Sequence, residues 1–249
     1  MATGLRELAR KGAAVRLAAL ALLFGSAGCS GSGDASPASA CAAPRGQPAS
    51  LTGIVSLVAR ANSMLAAHPD GLTIPCLVES LPRPLAALAT KSTFSVQPAA
   101  GPRSPRMFLF SGNLVMSIVP AGNGRHLLEL AEFTSPTRSI KGEIAFPLTA
   151  PLSASTPYDR VLLAPGTRCG FCHGSEQPAL DVTAAQTFDS DVLRPPSSEL
   201  VSLPYLQSET LVCDPKVEPD RCAMLTAVFS HGEVDEHQFS PMASTIFGE

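Results

Sequence analysis

The residues of this 249-residue chain with the clearest chemistry are Cys169-Gly170-Phe171-Cys172-His173. They place two thiols and an imidazole within five positions. On one helical turn, residues three and four apart share a face. Both thiols can then add to the two vinyl groups of a haem while His173 sets its imidazole on the iron as proximal ligand. One covalent haem c is the expected cofactor. Two other readings of the same residues are a C-x-x-C disulfide beside an incidental His173, and half of a structural zinc site.

The sixth position on such an iron would decide the mechanism. After the motif, Met224, His231, His237 and Met242 carry suitable atoms. Met224 falls on an expected helix and is the first choice for a distal ligand. Met242, after Ser240-Pro241, is the alternative. For either Met, filling core space is the ordinary role. The segment from His231 to His237 offers ligand types for a divalent metal, but its spacing is not that of a recognised site, and it reads more simply as a solvated turn. His68 and His126 receive no role.

Attachment of such a haem needs export, and the N-terminus supplies a route. Arg6, Arg10, Lys11 and Arg16 precede an apolar run from Leu17 to Phe24. That run is too short to span a bilayer as a mature helix and has the length of a signal-peptide core. Ser26-Ala27-Gly28-Cys29 follows and resembles the bacterial lipobox, with Ser26 where Leu is usual. The resemblance implies lipidation of Cys29. An ordinary secretory signal cut near Ala27 is the other reading. Ser30 is not the Asp that resembles an inner-membrane retention signal, so a periplasm-facing outer-membrane anchor is expected.

Seven cysteines are present. With Cys29 lipidated and Cys169 and Cys172 on haem, Cys41, Cys76, Cys213 and Cys222 remain, and in an oxidising compartment they would form two disulfides. Cys213 and Cys222 flank a short Asp/Pro/Lys/Glu loop and suit a local bridge. Cys41 with Cys76 would join the tether to the first helical unit.

The stretch Arg168 to Glu176 resembles the c-type cytochromes, and the leader resembles bacterial lipoproteins. The likeness covers little beyond these two stretches. In the common single-domain cytochromes c the motif ends an N-terminal helix; here it follows Pro165-Gly166 and a long β-rich region. A β-rich body ahead of a late motif resembles cytochrome P460-like proteins. No cross-linking lysine is assigned from that family, so the resemblance transfers no enzyme activity.

The elements that must hold the motif read as an α+β fold. Residues 1–28 are expected to be a lipoprotein signal peptide and 29–50 a Ser/Gly/Ala/Pro tether. Residues 51–150 form a helix plus β-meander part, and 151–249 a loop-rich, partly helical part carrying the motif, the two together making one domain. Ile54, Leu57, Val58, Ala61 and Leu65 recur at helical spacing over 52–66, with Thr52 as cap. A short helical piece covers Ile74 to Ser80. Met107 to Phe110 and Leu114 to Val119 flank Ser111-Gly112-Asn113, a hairpin signature. His126 to Phe133 is a third strand. Ile140, Gly142, Ile144 and Phe146 alternate with Lys141, Glu143 and Ala145, the period of a half-buried strand. Asp220 to Phe229 is the best helical island near the C-terminus.

A net charge of -3 argues against nucleic acid as a partner. No general acid, base or nucleophile array stands out in the sequence. Electron transfer in the periplasm with an unidentified redox partner is therefore the leading expectation, and the membrane is reached through the lipid anchor alone. The alternatives are a haem enzyme with an open distal site, peroxidase-like or P460-like, and a non-haem structural lipoprotein with a C-x-x-C disulfide.

Overall fold

A computed structural model describes residues 41–42, 51–180 and 182–246. The expected signal peptide, Cys29 and nearly all of the tether lie outside the described residues. Among those described, no helix is long and apolar enough to cross a membrane.

The fold is α+β. In chain order its elements are helices α1 (Ile54–Leu65) and α2 (Ile74–Glu79), then strands β1 (Leu85–Thr90), β2 (Arg106–Ser111), β3 (Leu114–Ile118), β4 (Leu127–Ser135) and β5 (Arg138–Ala145). Helix α3 (Thr156–Asp159) and strands β6 (Leu162–Leu163), β7 (Gly166–Thr167), β8 (Gln177–Ala179), β9 (Thr187–Asp191), β10 (Leu193–Arg194) and β11 (Leu200–Val201) follow. Helices α4 (Leu203–Val212) and α5 (Pro219–Phe229) and strands β12 (Val234–Glu236) and β13 (Ser244–Thr245) complete the chain. Nine strands form one sheet in the order β11-β1-β2-β3-β4-β5-β9-β8, with β12 parallel to β1.

The sheet is antiparallel from β1 through β5, and its two-residue side-chain period sorts two faces. Met107, Leu109, Met116, Ile118, Leu128, Leu130, Ile140 and Ile144 join one large core with Ile54 and Leu57 of α1, Leu77 of α2 and Leu225 and Val228 of α5. The intervening positions carry Arg106, Phe108, Ser117, Glu129, Phe133, Ser139, Lys141 and Glu143. Lys141 and Glu143 are 7% and 3% exposed, so this second face is covered as well. The alternation in β5 therefore separates two buried environments, one apolar and one polar, where the sequence suggested a core side and a solvent side.

Helix α1 starts one residue later than Thr52 would place it. Its cap is Gly53, and Ser56 Oγ accepts from the Thr52 and Gly53 amides. The Ile54 amide donates to Glu132 Oε2 of β4 at 2.8 Å, so a carboxylate from the sheet meets the positive end of the helix. A Cβ on Gly53 would lie 2.5 Å from that carboxylate, so a larger residue there would have to displace it.

Other differences lie outside the four expected strands. Strand β1 is Leu/Ala-rich, a composition that favours helix, yet pairing with β2, β11 and β12 holds it extended. The region after residue 150 contributes β8, β9, β11 and β12 to the main sheet and adds helix α4, which Ser202 caps by accepting from the Tyr205 amide.

Candidate functional site

The motif is built as one tight turn. Strands β6 and β7 form a small hairpin that delivers the chain to a 3-10 turn at Arg168–Phe171. Thr167 Oγ1 accepts from the Cys169 amide, and the Cys172 and His173 amides both donate to the Cys169 carbonyl, at 3.1 and 2.9 Å. A 3-10 turn thus does what an α-helical turn was expected to do: the two thiols and the imidazole leave one loop of backbone. Glu176 accepts from the Thr167 amide at 2.8 Å and from its hydroxyl. A Cβ on Gly166 or Gly170 would meet this carboxylate and require it to shift.

Two ties fasten the turn to the sheet. Glu143 of β5 accepts from Arg168, the residue before Cys169, and from Arg160 at 2.9 Å. The His173 ring places Nδ1 2.8 Å from the carbonyl oxygen of Asp191 at the end of β9. Donation from Nδ1 fixes the tautomer and leaves Nε2 as the lone-pair nitrogen. Burial lowers the His173 pKa from 6.5 to about 3, with Lys141 adding to the effect, so the ring is neutral at physiological pH, as a ligating imidazole must be. Cys169 is half-buried, which pushes its thiol pKa up, and Cys172 is exposed; neither is in a disulfide.

Cys169, Cys172 and His173 all line one cleft that encloses about 1250 Å³ of atom-free space, its solvent-open mouth included. The volume to set against the roughly 300–1,000 Å³ of ligand pockets is smaller, about 170 Å³, so a large planar group would occupy the open mouth of the cleft as well. The polar face of the sheet is the floor of the cleft. Phe108, Phe133 and Phe239 form an aromatic cluster in it, with Phe239 5.1 Å from Phe108 and 6.3 Å from Phe133. Arg106 lies over the Phe108 ring, donates to Ser117 Oγ at 2.6 Å and pairs with Glu129. Ser117 in turn donates to Gln97 Oε1 at 2.8 Å. Lys141 donates to Ser139 Oγ and to the Asp191 carbonyl.

The distal candidates are not brought to this cleft. Met224 is 3% exposed and belongs to the large core on the other face of the sheet. Met242 is 65% exposed and does not line the cleft, although Phe239 and Ile246 on either side of it do. His231 Nε2 sits 3.6 Å from Glu79, and the His237 ring packs on Phe110 at 4.4 Å, so these two do not share a site. Cys41 is bonded to Cys76 and Cys213 to Cys222. His68 Nε2 lies 3.4 Å from the Cys76 sulfur, and Cys41, His68 and Cys76 are the cluster of ligand-type atoms found among the described residues.

The residues that sequence reasoning missed are Arg106, Glu129 and Lys141. Their signal was present as charge at alternate positions of strands whose other positions are apolar.

No protein-family description matches this chain, and neither the curated proteins nor the solved structures contain a match to it.

Proposed function

We propose that this chain is an exported protein that would hold haem c through Cys169, Cys172 and His173 with no second side-chain ligand from the described cleft residues, and would act as an oxidoreductase or small-ligand-binding centre. The observation that carries the reading is the neutral His173 ring, held through Nδ1 by Asp191 beside two unpaired thiols in an aromatic cleft. Cys169 and Cys172 would hold the haem covalently and His173 Nε2 would ligate its iron. Arg168, paired with Glu143, and Arg194 line the same cleft and would add positive charge near two haem carboxylates. The bound haem would supply an iron centre that exchanges electrons and accepts small ligands.

The open-site reading is supported by how the remaining ligand-type groups are engaged. Among the described residues, the cleft lining holds no methionine and no second histidine. Glu129 is paired with Arg106, Glu143 with Arg160 and Arg168, and Lys141 with Ser139 and Asp191. Arg106 and Glu129, paired with each other, would then form the charged part of the cleft wall beside a small polar ligand, with Ser117 and Gln97 holding Arg106 in place. Export, with a lipid anchor at Cys29, is supported by the leader and by the two disulfides, which persist in oxidising compartments.

Plain electron transfer is the second reading, favoured by the exposure of Cys172 and of Phe171, which is 81% exposed, because a haem edge at the surface suits exchange with a partner protein. Optical and paramagnetic spectra of the oxidised protein separate the two. A high-spin ferric signal that becomes low-spin on adding cyanide is expected. A low-spin signal indifferent to cyanide would replace the open-site reading with electron transfer.

A further inference from the structure

Lys141 is the buried charge that the site described so far does not use. Its side chain is 7% exposed. An ammonium group has three donors, and here they meet Ser139 Oγ, the Ser139 carbonyl at 3.4 Å and the Asp191 carbonyl at 3.3 Å. All three acceptors are neutral; the Asp189 and Asp191 carboxylates favour the charge through space, and Lys141 makes no direct ion pair among the described residues. A buried cation without a direct ion pair costs stability, and here the desolvation outweighs the two carboxylates. Such a group is retained where it acts on something else.

What it acts on is set by a shared atom. The Asp191 carbonyl oxygen accepts from His173 Nδ1 at 2.8 Å and from Lys141 Nζ. A carbonyl oxygen has two lone pairs. A cationic donor on one of them withdraws electron density and makes the oxygen a poorer acceptor for the imidazole. The strength of the Nδ1 bond sets how much anionic character the ring carries and hence how strongly Nε2 donates to iron. We propose that Lys141 is a positioning residue that weakens the His173–Asp191 hydrogen bond and thereby raises the reduction potential of the haem. Ser139 is the counterweight, because its hydroxyl holds the same ammonium away from Asp191.

This rests on the haem reading above, so the experiment first measures covalent haem in the wild type by stain on a denaturing gel. Absence of haem there would remove the ground for both. With haem present, ferrous resonance Raman spectra and reduction potentials are compared for wild type, Lys141→Met, Lys141→Arg and Ser139→Ala. Lys141→Met should shift the iron–histidine stretch upward and lower the potential, without lowering the melting temperature. Lys141→Arg, which keeps a cationic donor, should stay near wild type. Ser139→Ala frees the ammonium to bond Asp191 more closely and should move both readouts the other way. A fall in potential with an unmoved stretch in Lys141→Met would overturn the proposal, since Lys141 would then act as a buried charge alone. If Lys141→Met does not fold, Ser139→Ala carries the test: no downward shift of the stretch would equally overturn it. A six-coordinate ferrous spectrum, in which that stretch is silent, would contradict the open-site reading. Opposite shifts of potential in Lys141→Met and Ser139→Ala would still support the role of Lys141, and shifts of one sign would refute it.

Discussion

His173 is held neutral by burial and aimed by one carbonyl, and this separates its two nitrogens in function. Replacing it by Ala should leave the thioether links in place but remove the nitrogen ligand. The optical spectrum should change, and added imidazole should restore it. An unchanged spectrum would mean that His173 is not the ligand. Glu143 works at one remove. It holds Arg160 and Arg168 and so presses the motif turn onto β5. Glu143→Gln should cost about 1.5–3 kcal/mol in urea unfolding, the range for hydrogen bonds to charged groups. Lys141 gives a pH dependence of defined sign. Burial lowers its pKa from 10.5 to about 8. Below pH 8 both folded and unfolded chains carry the proton, and the folded state bears the whole cost of the buried charge. Between about 8 and 10.5 the folded state has released the proton and the unfolded chain has not, so stability rises with pH by roughly 3 kcal/mol in full. In the haem-free protein, the stability advantage of Lys141→Met over wild type should therefore shrink as pH rises through that window.

Secondary elements position these side chains by simple periodicities, and the more local the cause, the better it shows in sequence. The hairpin of β2 and β3 was visible because Gly112, at φ +58°, takes a turn conformation open mainly to glycine. Helices α1 and α5 were visible from apolar spacing and from Pro219 at a helix start. Strand β1 was hidden because its Leu and Ala residues carry no strand signal and only its neighbours hold it extended. In β5 the alternation was legible, but not that its charged side would be covered by the motif turn and by Asp191 of β9, residues far along the chain. The cap on α1 was equally non-local. Glu132→Ala should cost about 0.5–2 kcal/mol as a lost cap. Gly53→Ala should displace that carboxylate, costing up to the value of the cap in the wild type and little beside Glu132→Ala. A double-mutant cycle by chemical unfolding measures the difference, and additive effects would contradict the close approach.

For the molecule as a whole, two disulfides frame a fold whose motif sits against the polar face of its own sheet. Cys41–Cys76 closes a longer loop than Cys213–Cys222, with separations of 35 and 9 residues. Loop entropy assigns them roughly 4 and 3 kcal/mol. Removing the first by a double Cys→Ala change should lower the melting temperature more than removing the second, as read by calorimetry. The core tells a related story for Met224. Met224→Ala should cost about 2–5 kcal/mol as a core cavity, while leaving the haem spectrum unchanged.

The most direct test of the account is the intact mass of the protein, purified under denaturing conditions from a host with a c-type maturation system. One haem retained on the mature chain is the predicted result, with its loss when Cys169 and Cys172 are both replaced by Ala. An unmodified polypeptide from the maturation-competent host would contradict the account.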